Sequence, residues 1–229
     1  MARALEQHAA YCRALEGLGL SLVRLEADPS FPDGTFVEDA AIVTTRGAML
    51  TRPGAASRAG EVAAIGVALG GSFPRMDAIT APGTVDGGDV CEAGSDFFIG
   101  LSERTNAEGA AQLAGWLEGH GFGATVIDIR SLPGLLHLKT GISWLGERRL
   151  LATREIAGHE AFTAWDVVEV PAGEEYAANC VRVNDAVLLA RGFPATAALL
   201  RGLGYVIVSL DVSEYRKMDG GLSCLSVRW

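Results

Sequence analysis

One recurrence constrains this chain more than anything else in it. Strand-like pairs appear as TFVEDAAIV then GAMLTRPG, GGDVCEAG then DFFIGLSER, LLHLKTGISWLG then RRLLATREI, and ANCVRVN then AVLLARGFP. Each pair alternates or runs apolar around a short polar or glycine-bearing turn, the pattern of a β-hairpin. A helix-like stretch follows each pair (PGAASRAGEVAAIGVALGG, NAEGAAQLAGWLEGHG, EIAGHEAFTAW and PATAALLRGLG). One more strand then follows: RMDAITAP, ATVIDIRS, DVVEVPA and YVIVSLDVS. Pro53 and Pro194 are placed to open helices, where a missing N–H costs little, and Gly121 and Gly204 to close them, where positive φ is wanted.

The termini hold a divided copy of the same unit. ALEQHAAYCRALEGLG and SLVRLEA supply its helix and last strand, and GLSCLSVRW supplies the start of its hairpin. A ββαβ unit recurring every ~40 to 50 residues is the mark of a repeat architecture. With the last unit shared between the chain ends, the expectation is a single α/β domain, residues 1–229, closed as a five-bladed α/β propeller with helices outside and strand starts near the axis. An ordinary open sheet would bring one strand per helix rather than three.

Charge and cysteine usage narrow the partners. The formal net charge of -9, from 28 acidic and 19 basic residues, disfavours nucleic acid and anionic membranes and favours a cationic ligand. Apolar runs fall short of the roughly 20 residues of a membrane helix, and the N-terminal sequence lacks a signal-peptide core, so a cytoplasmic protein is expected. Cys12, Cys91, Cys180 and Cys224 show neither C-x-x-C spacing nor histidines at finger spacing. The expectation is four reduced thiols and no structural metal.

If the hairpins converge, their early positions bring Glu38 and Asp39, Asp86 and Asp89, His137, Asn179 and Cys180, and Ser223 and Cys224 into one cavity. Thiol, imidazole and carboxylate together make a nucleophile, an acid/base and an orienting group. A neighbouring cation favours the reactive thiolate. His137 can give and take a proton near neutral pH, and Asp86 or Asp89 can hold its other ring nitrogen. Each residue also has a plainer reading: a core thiol, a hydrogen-bonded core histidine between Leu136 and Leu138, two aspartates shaping the Gly87–Gly88 turn. Glu38 and Asp39 resist it, since adjacent positions on a strand face opposite sides and one acid would face the interior unpaired. Gly220 and Gly221 are expected to leave room for a substrate beside Cys224.

The segments FPDGTFVEDAAIVTTRGAMLTRPGAASR, TVDGGDVCEAGSDFFIGLSERTNAEGA, GLLHLKTGISWLG, AANCVRVND and MDGGLSCLSVRW, in this order over nearly the whole chain, resemble the dimethylarginine dimethylaminohydrolase family of the guanidine-modifying (pentein) superfamily. The resemblance implies a five-bladed α/β propeller. It also implies hydrolysis of Nω-methylated L-arginine to L-citrulline and an alkylamine, through a covalent cysteine adduct and without a cofactor or metal. It implies Cys224 as nucleophile, His137 as acid/base and Asp86 as its orienting carboxylate. Glu38, Asp39 and Asp219 match the acids on the guanidinium, Arg58 and Arg104 the pair on the α-carboxylate, and Asp33 and a Met218 carbonyl the groups near the α-amino nitrogen. Family members usually begin with a further strand and a substrate-covering loop, so the fifth unit here is expected to lack its first strand. Plain arginine or citrulline as substrate, a catalytically idle binding role on the same fold, and a homodimeric assembly stay open. Arginine deiminases carry a helical insertion for which this chain has no room.

Overall fold

The computed structural model describes residues 1–229. The chain opens with helix α1, Ala2–Gly17. The first ββαβ unit is β1 (Ala41–Thr44), β2 (Gly47–Leu50), α2 (Glu61–Leu69) and β3 (Met76–Ala78), and the second is β4 (Val90–Ala93), β5 (Asp96–Leu101), α3 (Ala107–Gly119) and β6 (Gly123–Asp128). A short helix α4 (Leu138–Gly141) leads into the third, β7 (Ile142–Gly146), β8 (Arg149–Ala152), α5 (Arg154–Ala157) and β9 (Asp166–Glu169). The fourth is β10 (Val181–Val183), β11 (Ala186–Ala190), α6 (Pro194–Gly202) and β12 (Val206–Leu210), followed by α7 (Ser213–Arg216).

The four units fold alike. Each forms one three-stranded sheet with the hairpin's second strand in the middle. The hairpin strands pair antiparallel and the third strand joins parallel after its helix, because a parallel partner needs a crossover connection. Of the middle strands, β11 is buried along its whole length and β5 at all but its two end residues. Asn106 caps α3 by accepting the Gly109 N–H at 2.8 Å, and Pro194 stands at the first turn of α6. Gly121 and Gly204 take φ of 76° and 95° just past their helices, as left-handed exits require.

Several expectations fail locally. Residues 21–27, read as a strand, pair with no strand: the apolar alternation is there, but an extended segment becomes a strand only through a partner. GLSCLSVRW gives a single 3-10 turn, Ser223–Leu225, and no strand. EIAGHEAFTAW breaks into α5 and a 3-10 turn at Glu160–Phe162. Pro53 opens no helix, since α2 begins at Glu61; the Pro53–Gly54 pair instead turns the chain so that the Gly54 N–H meets Asp86 Oδ1 at 2.8 Å.

The chain divides into two compact units. One comprises Met1–Arg24 and Thr140–Ser223, and the other Leu25–Lys139 and Cys224–Trp229. In the first, α1 buries Tyr11, Cys12 and Leu15, and the Tyr215 hydroxyl donates to the Ala4 carbonyl at 2.9 Å. In the second, Phe97, Ile99, Leu113 and Leu117 fill a core with Val85 and Val90. A shared detail of the repeats positions the site. A short helical turn precedes every first strand: Val37–Ala40, Gly87–Asp89, α4 and Glu175–Ala178. No helix is long and apolar enough to cross a membrane.

Candidate active site

Glu38 and Asp39 lie on the Val37–Ala40 turn rather than on a strand. A 3-10 turn directs neighbouring side chains about 120° apart instead of to opposite faces, and both acids are buried, at 5 % and 4 % exposure. The turn packs on the Gly87–Asp89 turn of the next repeat, and that contact demands glycine twice. A Cβ at Gly87 would collide with the Glu38 carbonyl, and one at Gly88 would stand 2.9 Å from the His137 ring and 3.0 Å from Asp39 Oδ1. The bare backbone at Gly88 also donates its N–H to Asp39 Oδ1 at 2.8 Å.

His137 occupies the bend just before α4, not a strand. Its Nε2 meets Asp86 Oδ2 at 3.3 Å, while Asp86 Oδ1 accepts the Gly54 N–H. The alternative orienting acid is committed elsewhere: fully buried Asp89 accepts from Ser102 Oγ at 2.6 Å, Thr105 Oγ1 at 2.7 Å and the Leu138 N–H at 3.0 Å. Asp86 thus holds the ring and Asp89 the backbone one residue on. Burial works against a charged His137, but the Asp86 hydrogen bond and the fields of Asp39 and Asp89 prevail and push its pKa up to about 9. Burial likewise opposes the Asp86 charge, and the His137 and Gly54 hydrogen bonds outweigh it and hold the carboxyl below its ordinary range. Burial raises the pKa of Asp89 despite its donors. At neutral pH the pair is therefore an imidazolium on a carboxylate.

The donor atoms of Asp39, Asp86 and His137 lie within 4.8 Å of one another, close enough to grip a small cation. Here the cations are the protein's own. Arg58 Nη1 stands 2.5 Å from Asp39 Oδ2, its Nη2 is 2.7 Å from Glu61 Oε2, and Nη2 also donates to the Phe36 carbonyl at 2.9 Å. Burial opposes the charge on Arg58, yet Glu61 and Asp39 overcome it and raise its pKa further. Arg58, expected on a substrate carboxylate, thus holds the acid framework in this structure. Lys139 Nζ is 2.7 Å from Glu38 Oε1, and Arg228 Nη2 is 3.8 Å from the same oxygen. Asp33 and Arg104 are half-buried, Asp33 with its carbonyl 3.4 Å from Arg58 Nη2 and Arg104 with its N–H on Ser102 Oγ at 2.9 Å.

Cys224 sits on the last 3-10 turn. All four cysteines are reduced, and Cys224 alone is partly exposed. Burial pushes the Cys180 thiol up to about 12 and raises that of Cys12, so neither forms a thiolate readily. Of the remaining expected residues, Met218 is exposed and Asp219 takes a left-handed φ of 58°; both belong to the unit that holds the third and fourth repeats. The space beside Gly221 is not open to a substrate, because a Cβ there would collide with the Asn179 side chain. That amide instead braces the residue preceding Cys224, with Oδ1 accepting the Ser223 N–H at 3.0 Å and Nδ2 donating to Ser223 Oγ at 2.9 Å.

Sequence reasoning missed Glu61, Lys139 and Arg228. Glu61 carried a signal, since it lies three residues after Arg58, the spacing of a helical ion pair. Lys139 and Arg228 are remote from Glu38 in sequence and had none.

No protein-family model matches the chain. Among curated proteins it is 45% identical to the N(G),N(G)-dimethylarginine dimethylaminohydrolase of Pseudomonas aeruginosa, over 100% of this chain and 89% of the relative. The enzyme of the same name from Streptomyces coelicolor is 36% identical, over 98% and 85%. A solved structure of the Pseudomonas aeruginosa enzyme, a cysteine-to-serine mutant complexed with citrulline, superposes with a TM-score of 0.96 at 44% identity, covering 100% of this chain and 89% of the other. Four ββαβ units bearing an aspartate-held imidazolium beside paired acids thus define an α/β enzyme of the guanidine-modifying, pentein class. Within that class the chain belongs to the dimethylarginine dimethylaminohydrolase family.

Proposed function

We propose that this protein hydrolyses Nω-methylated L-arginine to L-citrulline and an alkylamine through a covalent adduct on Cys224. The observation that carries the reading is the imidazolium of His137 held by Asp86 among buried acids, in a member of this family. A planar cation suits paired carboxylates, and Glu38 and Asp39 offer them from adjacent positions. The Cys224 thiolate attacks the guanidinium carbon, forming a C–S bond. His137 gives its proton to the departing alkylamine as the C–N bond breaks, which leaves an S-alkylthiouronium. The now neutral His137 takes a proton from water, whose oxygen attacks the same carbon; the C–S bond then breaks to give the thiolate and O-protonated citrulline, whose hydroxyl proton passes to solvent, where the free alkylamine becomes an alkylammonium. Because the reacting carbon stays within a cationic group, the acids perform the electrostatic stabilisation that an oxyanion hole performs in acyl transfer.

Arg104 and Asp33 take the α-carboxylate and α-amino groups in this reading, with Asp219 and the Met218 carbonyl as further contacts, and Arg58 acts by holding Asp39. We also read α1 and the Cys224 turn as parts of a split fifth unit, completing a five-bladed propeller in one catalytic domain. A cytoplasmic location suits a nucleophile that must stay reduced.

Rapid quenching with Nω,Nω-dimethyl-L-arginine followed by mass spectrometry tests the chemistry. An adduct on the Cys224 peptide and release of dimethylamine are expected. Ammonia released from arginine alone, with no dimethylamine from the methylated substrate, would overturn the reading.

A further inference from the structure

The two acids that read the guanidinium are held in different ways. Asp39 faces Arg58, whose planar fork is fixed at the same time by Glu61 and the Phe36 carbonyl; the two side chains of the pair are only 9% and 6% exposed. Exchanging that partner would break several buried charge-assisted bonds at once. Glu38 faces Lys139, an ammonium on a long rotatable stem with no fixed donor geometry. Lys139 is 16% exposed against 6% for Glu38, so the stem reaches inward from a more open position. Its Nζ stands at 2.7 Å from Glu38 Oε1, at contact distance for the cation of a substrate. That oxygen already faces two cations, with Arg228 Nη2 at 3.8 Å as well, so a guanidinium joining Lys139 there would meet repulsion from both.

We infer that Lys139 is a specificity-determining residue of this site, an exchangeable internal counter-ion that a substrate guanidinium displaces from Glu38. The inference rests on the guanidine-hydrolase reading and extends it to product release. A guanidinium replaces one positive charge on Glu38 with another, so entry leaves the carboxylate compensated throughout. The ureido group of citrulline is uncharged and offers Glu38 no replacement, so Lys139 reclaims the carboxylate once the C–N bond has been cleaved. Lys139 therefore weakens the binding of the cation and leaves a neutral ligand nearly untouched. Its place two residues beyond His137, on α4, sets the exchange beside the acid/base.

Isothermal titration with the Cys224→Ser protein, with and without Lys139→Met, reads this directly. Removing the ammonium is expected to tighten Nω,Nω-dimethyl-L-arginine about tenfold, about 1.4 kcal/mol, and to change L-citrulline by less than about twofold. Lys139→Arg, which keeps the charge and can grip Glu38 through two bonds, is expected to weaken the dimethylarginine instead. Unchanged or weaker binding of the cation in the Lys139→Met protein, or an equal gain for both ligands, would overturn the inference. Failure of the parent reading looks different: the wild-type protein would release no dimethylamine and the Cys224→Ser protein would not bind the dimethylarginine. The guanidinium ion, titrated into the same pair of proteins, then still decides whether Lys139 guards Glu38, since tightening supports the exchange and its absence defeats it.

Discussion

At the scale of single residues, the site depends on one proton held in place by one carboxylate. The raised pKa of His137 makes a definite prediction of sign. The stability it contributes with Asp86 is complete below the ordinary histidine value of 6.5 and is lost as pH rises through about 9. A shift of that size corresponds to about 3 kcal/mol at most. Thermal unfolding followed across that window should show the wild-type protein losing stability more steeply than Asp86→Asn, which is less stable at its lower end. Parallel curves would remove the pair from the account. The same substitution should bring the alkaline limb of the kcat/KM profile down from about 9 towards the ordinary value and lower kcat by at least about tenfold, read from initial rates of amine release. Thiol chemistry gives a second residue-scale expectation. Limited alkylation of the folded protein, mapped by peptide mass, should label Cys224 and leave Cys180, whose thiol lies near 12, unmodified.

At the scale of elements, the strands of the four repeats read correctly from the sequence while the turns before them did not. β5 and β11 are long apolar runs whose burial follows from composition alone. The turns at Val37–Ala40 and Gly87–Asp89 carry acids and glycines that fit a hairpin entry equally well, and only the packing of one turn on the other selects the helical form. Residues 21–27 failed for the complementary reason, since alternation shows a face but not a partner. The α3 cap is the element most open to test. Asn106 Oδ1 accepts from both Gly109 N at 2.8 Å and Thr84 N at 2.9 Å. Asn106→Ala should therefore cost roughly 1–2 kcal/mol in chemical denaturation, and a loss below about 0.5 kcal/mol would show the cap to be redundant. Gly88→Ala should abolish amine release more completely than it lowers the unfolding midpoint, because its methyl group points at the His137 ring; equal losses would count against that geometry.

At the scale of the whole molecule, the net charge of -9 surrounds a site that takes a cation. Attraction over that distance is screened by salt, so kcat/KM for the methylated arginine should fall several-fold between low salt and about 0.5 M, while kcat holds. A flat salt dependence of initial rates would show the field to be irrelevant. Much of the site was legible because its residue types are few and chemically particular: His137, Asp86, Glu38 and Asp39 stand on or beside the short turns that open the repeated units. The partners that fix their charge states were not legible. Arg58 could be recognised as important, but its engagement by Glu61 and Asp39 is a property of packing that no spacing reveals.

The placement of these groups on turns has a consequence for how such a protein changes over time. The pairing of β1, β4, β7 and β10 starts only after each turn has ended. Variation at the chemical positions therefore leaves the ladders of the sheets in register, and variation within the ladders leaves the chemical positions where they were. Selection can rewrite the reagent without redrafting the frame that carries it.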